Sequence, residues 1–239
     1  MKAKTKWANH IAIAALTSIL LLLTLYFTFE IFAEKSRQDF YGLSQVEFVS
    51  PNSKVEYIRF DQNDGSYEEH WRDVENKQER HDRYSKDGEL INRLIVVDSG
   101  KTVISVGNEG GKLEAYTWEL PSKDADENNE LLQKSLIKEV KDQMYDKKWT
   151  LSKNSKLAKN NSVDEVESIE GEVKEIVQLD TVTGVPLKRE VFEFIGGKEE
   201  KVLTETYQFI EGSTYLFEAN VNAKEVPADD IVDQRRCVE

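Results

Sequence analysis

The chain has 239 residues, 39% hydrophobic and 32% charged, with a net charge of −13. That length can bury a core in one domain or at most two, and an aromatic content of 10% argues against a wholly disordered chain. The acidity argues against a nucleic-acid partner, which needs a basic face. The single Cys237 excludes an internal disulfide framework or a multi-cysteine metal site.

The charge is unevenly spread. From Trp7 to Phe29 there is no Asp, Glu, Lys or Arg. As a helix this run spans about 34 Å, enough for a hydrocarbon core of roughly 30 Å. Lys2, Lys4 and Lys6 precede it, so residues 1–6 are expected in the cytoplasm and residues 7–33 as a single-pass signal anchor in the cell membrane. Trp7 and the Tyr26, Phe27 and Phe29 group fall at the two interfaces, which favour aromatic rings. The alternative is a signal peptide cleaved after Ala33, which would leave a secreted domain. The long apolar run and its bulky aromatic end favour the anchor. No cysteine lies near the end of the run, so lipoprotein processing is excluded. Beyond residue 33 there are 29 basic and 44 acidic residues, a net charge of −15 on the extracytoplasmic part. Such a surface attracts cations and basic partners, although solubility alone is the plainer explanation.

Residues 34–45 read as a charged stalk, residues 46–218 as a β-rich domain and residues 219–239 as a loose acidic tail. Val46–Val49 is a short strand ending at Pro51. Strand patterns follow at Lys54–Phe60 and Ser66–Asp73, parted by the Asp64-Gly65 turn. Glu79–Ser85 is so polar that it suits a sheet edge. Glu89–Val97 is the strongest strand, apolar on both faces from Leu94 onward, so both faces are expected to be covered there. Lys101–Val106 and Lys112–Trp118 complete a meander. Asp126–Lys148 then reads as one helix, its stripe made by Leu132, Leu136, Ile137, Val140 and Met144. Residues 152–168 read as a loop. Glu172–Asp180, Leu187–Ile195 and Lys201–Ile210 are further strands. Many strands, one helix and more strands predict an α+β domain with a curved antiparallel sheet.

Chemical motifs are few. His70 and His81 lie among Glu68, Glu69, Asp73 and Asp82, but without the spacing of a metalloprotease helix. Neighbouring strands could bring the two together, but they read as surface strand histidines, and no metal is expected. The Asp61–Gly65 segment fails as a calcium loop, because its glycine is one position early and Arg72 stands where the bidentate glutamate belongs. No nucleophile elbow, phosphate loop or dinucleotide fingerprint is present, so neither an enzyme nor a cofactor is expected. Asn160-Asn161-Ser162 matches a glycosylation acceptor, a triplet frequent by chance. The strand aromatics Tyr57, Trp71, Tyr116, Trp118, Phe192, Phe194, Tyr207 and Phe209 are the candidate lining of an apolar hollow, if the sheet curls into an incomplete barrel. The alternative for each is an ordinary core position.

Leu179–Phe192, with its Asp180…Gly184-Val185-Pro186-Leu187-Lys188 turn, and the strand Thr204–Phe209 resemble the LolA/LppX-like superfamily of exported lipid- and lipoprotein-binding domains. Ile95–Asp98 leading into Lys101–Ile104 resembles its central hairpin. The layout is also similar to exported sporulation and germination proteins of spore-forming Gram-positive bacteria. The resemblance implies a half-open β-barrel with a helix packed on it, holding a lipid, a lipoprotein acyl chain or an envelope protein. The turn has a physical basis of its own: Gly184 gives a permissive backbone and Pro186 fixes φ on re-entry to a strand. The expected function is a membrane-anchored binding domain for an apolar ligand or an envelope protein. The alternative is a regulatory protein that binds or activates a cell-envelope or spore-cortex enzyme.

Overall fold

The computed structural model describes residues 54–144, 147–152, 163–180 and 182–226. The anchor, the stalk, the strand at 46–49, the Asn160 triplet and Cys237 lie outside them. The strands in chain order are β1 (Lys54–Gln62), β2 (Tyr67–Asp73), β3 (Gln78–Tyr84), β4 (Leu90–Val97), β5 (Thr102–Glu109) and β6 (Lys112–Glu119). Helices α1 (Ser122–Leu132) and α2 (Leu136–Gln143) follow. Then come β7 (Thr150–Leu151), β8 (Val163–Glu170), β9 (Val173–Asp180), β10 (Pro186–Ile195), β11 (Lys198–Glu211), a short 3-10 turn at Thr214–Phe217 and β12 (Ala223–Glu225).

All strands belong to one curved, unclosed sheet in the order β12-β6-β5-β4-β3-β2-β1-β11-β10-β9-β8-β7. The pairing is antiparallel apart from β12, which runs parallel to β6. β1 is the seam. It pairs with β2 on one side and along its whole length with β11 on the other, from Lys54 opposite Glu211 to Gln62 opposite Leu203. Two hairpin series, β1–β6 and β8–β11, thereby become one sheet.

Period-two alternation sorts the side chains onto two faces. On the helix face, Ile58 and Tyr207 pack against Ile137 of α2 and Val185. Farther along that face Val166, Val177 and Leu179 meet Met144 and Trp149. On the opposite face Val55, Trp71 and Ile95 are covered by Phe217 from the 3-10 turn. Ala223–Glu225 then adds a parallel strand beside Ala115–Thr117, so part of the expected loose tail is ordered pairing that covers the β6 edge.

Three further expectations are corrected. The single helix 126–148 is two helices, because its exposed backbone ends at residues 131–137 are taken up by sheet side chains. Arg72 donates to the carbonyls of Leu131 and Lys134, at 3.3 and 3.0 Å. Glu56 accepts from Ser135 Oγ at 2.5 Å and from the Leu136 amide at 2.7 Å. Ser135 in turn caps α2 by accepting from the Lys138 amide. Glu56 and Arg72 are direct cross-strand partners, so one ion-bearing pair caps both helix ends. Residues 163–168 are strand rather than loop, since Val166 inserts against Val177. β3 is interior rather than an edge, because its polar side chains find charged partners on both neighbouring strands.

The Asp180–Pro186 turn closes as its residues suggest. Asp180 Oδ1 accepts from the amides of Val182 and Thr183 at 2.9 and 2.7 Å, and the Gly184 amide donates to the Asp180 carbonyl at 2.8 Å. Gly184 sits at φ 64°, a conformation that favours glycine. These bonds account for a tight hairpin.

Candidate functional site

Row by row across the helix face, the cross-strand registers decide what lies together. Val96, Val103 and Trp118 are successive direct partners on β4, β5 and β6. The next row runs Leu94, Ser105, Tyr116. Leu94, Val96, Val103, Ser105 and Trp118 of these rows form the floor of a trough whose opposite wall is α1, through Asn128, Leu131 and Leu132, with Leu120 at the bend. Arg72, Glu79 and Asn92 supply its polar end, and the cavity volume is about 680 Å³. Leu94 is 42% and Leu131 51% exposed, although both are large and apolar. This corrects the expectation that β4 is covered on both faces: Ile95 is fully buried, whereas Leu94 opens into the trough.

α1 is held over the sheet at Gly100. A Cβ there would lie 2.8 Å from the Asn129 amide nitrogen, and the residue has φ 92°. Glycine alone allows that approach.

The same face carries a second group. His70 and His81 are direct partners on β2 and β3, with ring centroids 3.8 Å apart. His81 Nε2 lies 3.1 Å from Glu68 Oε2. One ligand atom from each of Glu68, His70 and His81 falls within 4.8 Å of the others. Phe60 meets the His70 ring edge-on at 5.1 Å. Burial, then the neighbouring His81 and Arg72, push His70 down to about 3, so it is neutral at pH 7. Its Nε2 is buried with no hydrogen-bond partner among the described residues. The sequence allowed neighbouring strands to bring the two histidines together, but the absence of tight ligand spacing argued against a ligand set. The signal that could have found it is the hairpin register, since two strands joined by a turn near residue 75 bring position 70 opposite position 81. Neither ring is a freely exposed surface histidine.

No family model matches the chain, and no curated protein matches it. Among solved structures it is similar to PNGF-II in a C2 crystal form, at a TM-score of 0.30 and 9% identity over 75% of this chain and 32% of that one. A P21 form of PNGF-II gives the same TM-score and identity over 76% and 33%. The DNA polymerase III subunit beta from Pseudomonas aeruginosa gives a TM-score of 0.14 and 12% identity over 77% and 63%. The chain spans about a third of the length of PNGF-II. Overlaps this shallow carry no argument about what this chain does.

The eight aromatics singled out in the sequence divide by strand alternation. Tyr116, Trp118, Tyr207 and Phe209 lie on the helix face, and Tyr57, Trp71, Phe192 and Phe194 on the other. Of the eight, Trp118 lines the trough. Tyr116 follows one row on, its hydroxyl donating to Glu114 Oε2 at 2.8 Å. Tyr207 is buried and donates to Glu205, and burial with that carboxylate raises its pKa. Phe209 packs beside the α2 cluster. Tyr57 and Trp71 meet at 5.4 Å in the opposite core, and Lys174 lies 5.3 Å from the Phe192 ring centroid. Alternation thus spreads the set over two faces rather than around one hollow.

On that opposite face Asp82 has no solvent exposure and is held by two bidentate arginines. Arg93 reaches it at 2.7 Å with two nitrogens, Arg80 pairs with both oxygens, and Tyr84 donates at 2.8 Å. Burial would push Asp82 up, but the arginine bonds outweigh it and hold the carboxyl below its ordinary value. Tyr84 is pushed up to about 12 by burial and by Asp82. Arg80 also donates to the Leu216 carbonyl at 3.0 Å, so this network locks the 3-10 turn over the core.

Proposed function

We propose that the chain is a membrane-anchored extracytoplasmic binding domain, non-enzymatic, that holds a lipid or a lipoprotein acyl chain in the trough between β3–β6 and α1. The observation that carries this reading is the open apolar floor: Leu94, Val96, Val103 and Trp118 face a cavity of about 680 Å³. That volume falls within the roughly 300–1,000 Å³ of ordinary ligand sites. Each methylene moved from water onto such a floor stabilises by about 0.8 kcal/mol. Asn92 at the polar end suits a carbonyl-bearing head, since Arg72 is already held by Glu79 and the α1 carbonyls. The segment 7–33 would keep the domain at the outer surface of the cell membrane, and the LolA/LppX-like turn at Asp180–Pro186 supports a half-open barrel of that class.

Native mass spectrometry of the full chain, followed by solvent extraction, tests the proposal. Co-purified lipid, lost in Val103→Asp and Leu94→Asp, is the expected result. A stoichiometric protein partner with no lipid would replace it with the regulatory reading, in which the domain binds an envelope or spore-cortex enzyme.

A further inference from the structure

We propose that Glu68, His70 and His81 form a binding site for a first-row divalent metal ion, with Zn²⁺ as its physiological type. Three observations converge. The three donor atoms lie within 4.8 Å of one another. A zinc ion with ligands at about 2.0–2.2 Å sets them about 3.4 Å apart, so small side-chain rotations close the site. The His70 Nε2 is buried and has no partner among the described residues, which is costly for a polar atom unless something occupies it. The electrostatics around Glu68 leave one oxygen available: Arg83 approaches Oε1 at 3.6 Å, while Oε2 faces His81. The nearby Arg72 is neutralised by Glu79, which it meets through two nitrogens at 2.9 and 2.5 Å.

Two imidazoles and a carboxylate suit zinc, copper and nickel rather than calcium or magnesium. The cross-strand pair sits on the rigid sheet, and three protein ligands leave a fourth position for water. That position borders the trough, because His81 is the direct partner of Leu94 on β4. The site stands independently of what the trough binds.

The full 239-residue chain, chelator-stripped and kept in mild detergent, is titrated with ZnCl₂ by calorimetry and with CoCl₂ by visible absorption. One ion per chain, with the d–d bands of four- or five-coordinate cobalt, is expected. His81→Ala and Glu68→Gln, both at partly exposed positions, should each weaken binding about 10-fold or more. Zn²⁺ should raise Tm in the parent chain and not in His81→Ala. The proposal is overturned if no stoichiometric uptake occurs. It is also overturned if uptake survives His81→Ala unchanged, or is abolished by Cys237→Ser alone.

Discussion

At the scale of single residues, two buried carboxylates do most of the organising. Glu56 is fully buried on β1 and accepts from the first amides of α2. Burial raises its pKa against the lowering effect of the Ser135 bond and those amides. Glu56→Ala removes these acceptors and strands Ser135, so unfolding in urea should show a loss of about 2–4 kcal/mol, with Glu56→Gln intermediate. Asp82 stands between two arginines. Asp82→Asn should cost about 3–5 kcal/mol, because it leaves both guanidinium groups buried without their counter-charge. The pH dependence has a definite sign. A carboxyl whose folded pKa is depressed contributes stability above its unfolded value, and loses it as pH falls through the folded one. Asp82 and Glu175 are both depressed, so their contribution to Tm is present above about pH 4 and falls steadily below it, whereas the raised Glu56 acts in the opposite sense as pH rises. In Asp82→Asn that acid limb should be shallower, as measured by calorimetry across pH 2 to 6.

At the scale of elements, the helical region shows where periodicity stops being informative. The stripe through Leu132, Leu136 and Val140 is continuous in sequence, and nothing between them is proline or glycine. The break arises because Arg72 and Glu56, some sixty to eighty positions earlier, capture the carbonyls and amides of one turn. No local pattern carries that information. α1 depends on the turn beneath it as well. Gly100→Ala would place a methyl group against Asn128 and Asn129 at a positive φ. Its expected effect is faster amide exchange confined to Ser122–Leu132 and a wider trough, with β8–β11 unchanged. The strands were more legible, since alternation in β9 buries Glu175, Val177 and Leu179 in turn. β3 misled because polarity was taken for exposure, whereas its charges are paired across the sheet.

At the scale of the whole molecule, the sheet is held by segments that sequence order keeps far apart. β1 and β11 pair at the centre, and the segment after β11 crosses the opposite face to reach β6. Ending the chain at Gly212 would uncover Val55, Trp71 and Ile95 and remove the acceptor for Arg80. Tryptophan emission should shift to the red and Tm should drop by several degrees, because Phe217 alone accounts for a buried aromatic worth about 3–5 kcal/mol.

The sequence by itself determined the acidic balance, the strand-rich class, most strand positions and the turn at Asp180–Gly184. These follow from composition, period-two alternation and local backbone chemistry, which act over a few residues. Tertiary structure alone decided the helix break, the interior place of β3, the division of the eight aromatics between two faces, the trough and the Glu68–His70–His81 group. Each of those depends on register between strands. A shift of one residue exchanges the two faces of a strand, so side chains converge only once the pairings are set.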